Sequence, residues 1–228
     1  SNWSRLTHTT ELVGDDYTVE TYFTVTANGI EDSPSSGAVN LGTFYIGDYE
    51  TTNSLTTGIR QTSASAGSFN WWFSPDGYQT NDNTSTLPKY WGRTFTGSDI
   101  GLPAATGSTW DGVTSDTLKF EKTLTLVESS ASASDGYSTW TWDVTLSNED
   151  PGVTIASHTE TYTDYTSLNS LETGNERYGW NLGQTGTSDW DTNVTRVVIT
   201  QAVPEPSSYA MILGLAMLSL PLLHRRGK

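Results

Sequence analysis

The chain has 228 residues, no cysteine, and 26 acidic against 11 basic side chains, for a formal net charge of −15. Such a field repels phosphate backbones and anionic lipid, which argues against nucleic-acid binding. Without cysteine there are no disulfides and no thiolate metal sites, although the redox compartment stays open.

The sequence begins at Ser1 with no apolar leader, which fits either an already removed signal peptide or a shortened chain. Up to residue 203, Ser, Thr, Gly, Asn and Asp dominate, and apolar residues recur with a period of two rather than 3.6. That is the pattern of strands with one buried face. Tyr17, Val19, Phe23 and Val25 share a face of the first clear strand. Weaker strands are expected at Val39–Ile46, Gly58–Thr62 and Ser68–Phe73. In Leu118–Val127, the residues Leu118, Phe120, Leu124 and Leu126 are in phase, with Lys122 among them. A bulge or an edge position is expected to let that ammonium reach water.

The plainest alternation follows, with Trp140, Trp142, Val144 and Leu146 on one side and Thr141, Asp143 and Thr145 on the other. Further strands are expected at Val153–Ala156, Tyr178–Leu182 and Val194–Thr200, with a short helical turn at Thr166–Glu172. Turn signals punctuate the runs at Asn28-Gly29, Asp76-Gly77, Asp135-Gly136 and Asp150-Pro151-Gly152. Many short strands with few helices predict an all-β fold, a two-sheet antiparallel jelly-roll sandwich over residues 1–203. Phe23, Phe120, Leu124, Trp140, Trp142 and Val198 should lie between its sheets. The strand pattern resembles that of concanavalin A-like (laminin G-like) jelly rolls, most clearly at Tyr17–Val25, at the pair Leu118–Val127 and Trp140–Leu146, and at Val194–Thr200.

Residues 204–228 differ in kind. Val203-Pro204-Glu205-Pro206 is followed by an apolar run, Tyr209–Leu223, and then by His224-Arg225-Arg226-Gly227-Lys228. As a helix the run would rise about 22 Å, short of the roughly 30 Å hydrocarbon core. The basic residues Arg225, Arg226 and Lys228 set this end in the cytoplasm and residues 1–203 outside. A Pro-Glu-Pro motif, a short hydrophobic helix and a basic end, in that order, resemble the PEP-CTERM sorting signal. The resemblance implies export in a Gram-negative type of envelope, transient membrane anchoring, and processing by an exosortase near Val203, Pro204, Glu205 and Pro206. It also implies association with exopolysaccharide and biofilm matrix. A simple permanent anchor is the alternative.

No catalytic constellation emerges. His8 and His158 belong to no zinc motif, and neither a Gly-x-Ser-x-Gly elbow nor a phosphate loop occurs. Glycoside hydrolysis needs two facing carboxylates. The Glu-x-Asp-x-x-Glu string of laminarinase-like jelly rolls is missing, and Glu149/Asp150 and Asp189/Asp191 read as solvated turns. No enzyme is expected. Asp76, Asn81, Asp82 and Asn83 gather oxygen ligands of the kind calcium takes, a composition shared with ordinary turns. Trp71 and Trp72 are adjacent, so on a strand only one faces the core. Trp72, with Trp91 or Trp110, is a candidate sugar-stacking platform, and packing beneath a loop is the other reading. The sequence therefore predicts a non-catalytic exported surface or matrix protein, with a lectin-like module for extracellular polysaccharide as the alternative and a polysaccharide hydrolase more distant.

Overall fold

The computed structural model describes residues 5–12, 16–31, 39–48, 53–62, 67–74, 90–106, 109–162, 176–181 and 190–201. Among them are twelve strands: β1 (Arg5–Leu12), β2 (Asp16–Glu31), β3 (Val39–Asp48), β4 (Asn53–Gln61), β5 (Ser68–Ser74), β6 (Tyr90–Thr96), β7 (Thr109–Thr114), β8 (Leu118–Glu128), β9 (Thr139–Asn148), β10 (Val153–Tyr162), β11 (Glu176–Asn181) and β12 (Trp190–Gln201). They form two antiparallel sheets. The first runs β1-β11-β3-β4-β5-β6 and the second β10-β9-β8-β2-β12, with β7 also pairing to β2. This is the all-β jelly-roll sandwich that the alternation predicts.

Alternation explains the core directly. In β9, Trp140, Trp142, Val144 and Leu146 are buried while Thr141, Asp143 and Thr145 are half-buried on the other face. Phe23 and Phe120 of the second sheet stack at 5.4 Å between ring centroids, and Phe44 of the first sheet meets both, at 5.0 and 5.1 Å. Two indole nitrogens drawn into the interior find hydrogen-bond acceptors there. Trp71 Nε1 donates to Thr57 Oγ1 at 2.8 Å, and Trp190 Nε1 crosses the sandwich to Gln61 Oε1 at 3.1 Å. The outer face of the second sheet is tied by threonine pairs across neighbouring strands, Thr18 with Thr123 and Thr141 with Thr161.

Four local expectations are corrected. Lys122 does not reach water: β8 lies between β9 and β2 and keeps its alternation, so the side chain enters the core at 0% exposure. Val198 is half-buried rather than core. A register shift between Val194 and Arg196 advances the phase by one, so that Val197 and Ile199 pack against the core instead. Asn28-Gly29 is not a turn between strands. Gly29 takes φ 75° inside β2, where the strand's pairing shifts register as it passes from β8 to β7. Asp191 lies in β12 rather than in a loop-like stretch.

The turns at Asp135-Gly136 and Asp150-Pro151-Gly152 are present, with left-handed Gly136 and Gly152. Asp76-Gly77, Thr166–Glu172 and residues 202–228, including the sorting motif and the expected helix, lie outside the described residues.

Candidate functional site

The strands at the ends of the two sheets, β6 and β10, face each other along one side of the sandwich. Between them lies a cavity of about 680 Å³ whose lining includes Arg93, Asp99, Asp116, Asn148, Asp150 and Ile155. A narrower space of about 460 Å³ shares Arg93 and Ile155 and continues to Trp71, Ser157 and His158. Arg93 bridges the two sheets, its Nη1 donating to the Ile155 carbonyl at 3.0 Å. A charged side chain spent on an edge carbonyl also guards that edge against pairing with another strand.

Each carboxylate in the larger cavity holds local structure. Asp99 Oδ2 accepts from the Thr96 amide at 2.7 Å and from Thr96 Oγ1 at 2.8 Å, opening the 3-10 turn Gly97–Ile100. Asp116 Oδ2 accepts from Asn148 Nδ2 at 2.8 Å. Asp150 Oδ2 accepts the Thr117 amide at 3.1 Å. Asn148 is itself buried, and its amide also donates to the Asp99 carbonyl at 3.2 Å. Among the described residues, no group of three or more His, Asp or Glu side chains is arranged to hold a metal ion.

Several charges outside this groove are also engaged. Lys119 Nζ lies 3.1 Å from Glu121, 3.7 Å from Glu149 and 3.9 Å from Glu20 on the outer face of the second sheet. Burial pulls its pKa down, but the hydrogen bond and charge of Glu121, with Glu149 behind, leave it raised. Glu149 also accepts from Ser147 Oγ at 2.6 Å. Asp191 accepts from Asn28 Nδ2 at 2.9 Å.

The three candidate tryptophans do not form one site. Trp110 is 4% exposed and belongs to the core, which removes it as a sugar platform. Its indole packs against Phe69 and Trp190 at 6.0 and 6.1 Å, and Nε1 donates to the Pro103 carbonyl at 2.8 Å. A nearby glycine makes room for the ring: a Cβ at Gly97 would sit 3.1 Å from Trp110 Cζ2. Trp71 is buried. Trp72 and Trp91 occupy directly opposed register positions on β5 and β6. Asp76, Asn81, Asp82 and Asn83 lie outside the described residues, as does Asp189.

The groove itself was not anticipated. Arg93, Asp116 and Asn148 meet only through pairing of distant strands. Thr96-x-x-Asp99 is the one local signal, because a hydroxyl followed three residues later by an acid caps a helical turn.

Fold and groove together define an antiparallel jelly-roll sandwich with an amphoteric cleft along one open side. No protein-family model matches the chain, and no curated protein does. Solved structures similar to it include the alginate lyase from Klebsiella pneumoniae, at 15% identity over 83% of this chain and a TM-score of 0.39. The chain spans 61% of that lyase's length. Two structures of scytalido-glutamic peptidase with transition state analogs are also similar. Their identities are 14% and 15%, over 88% of this chain and 75% and 80% of theirs, with TM-scores of 0.38 and 0.41.

Proposed function

We propose that this chain is a non-catalytic exported protein of the cell surface or extracellular matrix, sorted by an exosortase acting near Val203-Pro204-Glu205-Pro206. The observation that carries the reading is the order of that motif, the apolar run Tyr209–Leu223 and the basic residues Arg225, Arg226 and Lys228. A β-sandwich with an acidic, threonine-rich exterior suits display in water, and its charge discourages adhesion to anionic lipid and nucleic acid. The local duties of Asp99, Asp116 and Asp150 support a non-catalytic role, since each is already held by a backbone or amide partner.

The test is fractionation of the native host with and without its exosortase. Surface or released protein should be lost, and unprocessed protein should collect in the membrane, when the exosortase is deleted or Pro204-Glu205-Pro206 is changed to alanines. Unaltered distribution in both strains would refute the sorting role.

A second reading is a glycan-binding module, since tryptophans at Trp72 and Trp91, opposed in register, are of the residue type that stacks on pyranose rings. Calcium at Asp76, Asn81, Asp82 and Asn83 would belong to that reading, and binding assays with and without a chelator address it. Polysaccharide hydrolysis is a more distant reading, and release of reducing ends from a matrix polymer would revive it.

A further inference from the structure

We propose that Asn193 is an N-glycosylation site whose glycan shields the edge of the second sheet; this rests on the export reading, which brings the chain to an oligosaccharide donor outside the cytoplasm. An acceptor asparagine is followed two residues later by Ser or Thr, with no proline between. Asn2-Trp3-Ser4, Asn83-Thr84-Ser85 and Asn193-Val194-Thr195 meet that rule. The third lies in β12, within the described fold, and its setting suits the chemistry. Asp191, Asn193 and Thr195 are all exposed, whereas Trp190 is buried and Thr192 and Val194 are half-buried. The strand period of two thus sets acceptor and hydroxyl side by side on one wet face. Asp191, two places earlier on that face, adds a carboxylate that a cationic group of the enzyme can grip.

The edge supplies the purpose. Among the described residues β12 ends the second sheet and pairs with β2 alone. From Val194 to Thr200 it is rich in β-branched residues and carries one charge, Arg196. Such an edge invites pairing with another strand. Arg196 lays its guanidinium 3.8 Å from the centre of the Tyr22 ring, on the face of the sheet. The register shift between Val194 and Arg196 interrupts the ladder, and a bulky hydrated chain at Asn193 completes the guard. Thr195 Oγ1 donates to the Tyr22 carbonyl at 3.2 Å in the folded chain. On export, β12 is the last strand of the sandwich to cross, so the triplet emerges before it docks on β2. In the transfer, Asn193 Nδ2 attacks the anomeric carbon of an oligosaccharide carried on a lipid diphosphate. A C–N bond forms, the C–O bond to phosphate breaks, lipid diphosphate leaves and the amide gives up one proton.

Peptide mass spectrometry of protein from the native envelope tests this. Trypsin cuts after Arg177 and Arg196 and isolates residues 178–196, which electron-transfer fragmentation reads residue by residue. The peptide should carry whole sugar units on Asn193. They should be lost in Asn193→Gln and Thr195→Ala and kept in Thr195→Ser, which restores the hydroxyl. Asn193→Gln, a surface change that leaves the core intact, should also sediment as larger species than the parent at equal concentration. An exported protein unmodified at Asn193, or one with sugar on Thr192 or Thr195 instead, would overturn the site and leave the export reading standing. A chain found only in the cytoplasm would overturn both. Unchanged sedimentation of exported Asn193→Gln would overturn the shielding alone.

Discussion

Lys122 Nζ donates to the backbone carbonyl of Phe44 at 2.8 Å, across the gap between the two sheets and out of reach of water. Burial drives its pKa well below the ordinary 10.5. The unfolded chain therefore binds a proton that the folded chain resists, over the interval between the depressed folded value and 10.5. Stability rises with pH through that interval, by up to about 1.4 kcal/mol per unit. The contribution is fully present above the unfolded value and is lost as pH falls towards the folded one. Lys122→Met, which keeps the stem and removes the amine, should be more stable than the parent at neutral pH. Its advantage should shrink as pH approaches 10.5 in urea unfolding series. A difference that does not change with pH would contradict the assignment.

Trp142 is 1% exposed and Trp110 4%. Alanine at either should cost about 3–5 kcal/mol by deleting a large core side chain. The test matters most at Trp110, where a sugar platform and a core residue predict opposite results. A Trp110→Ala protein of parental stability would restore the platform reading.

Gly101 closes the 3-10 turn at φ 76°, and a Cβ there would lie 2.2 Å from the Asp116 carboxyl carbon. Gly101→Ala should cost at least about 1–2 kcal/mol for the left-handed backbone, with the displacement of Asp116 from Asn148 added. Asp116→Ala should recover part of the loss in the double variant. Independent, additive effects in that cycle would show that the contact is not responsible.

If the carboxylates and His158 serve structure alone, Glu149→Gln, Asp191→Asn and His158→Ala should leave surface retention unchanged. The parent should then release no reducing ends from any matrix polymer. Turnover abolished by one of these substitutions would make the protein an enzyme.

The strands with strict alternation were legible because burial of one face writes itself into every second residue, as in Trp140 to Leu146. What failed to show has particular causes. β1, Arg-Leu-Thr-His-Thr-Thr-Glu-Leu, has too few apolar residues to display a period. β7 contains Asp111-Gly112, which reads as a turn but is a left-handed glycine within a strand, at φ 64°. Val198 was misplaced because a bulge is invisible to a period of two. Lys122 looked as though it must escape because charge seemed to exclude burial. The structure resolves that conflict with a carbonyl from the facing sheet, a partner 78 positions away in sequence. The cleft between β6 and β10 was illegible for the same reason: its side chains come from distant segments with no shared motif.

The sorting claim concerns residues outside the described fold, and the mass of the mature protein tests it most directly. Proline disfavours helix at its own position and at the one before it, so on the proposed sorting Pro204 and Pro206 would leave the motif accessible to a processing enzyme. Intact-mass spectrometry of protein from a host envelope with an active exosortase should find the chain cut near Val203-Pro204-Glu205-Pro206, with Tyr209–Leu223 and the basic residues gone. Residues 207–228 still attached to the mature surface protein would contradict the account and leave a permanent anchor in its place.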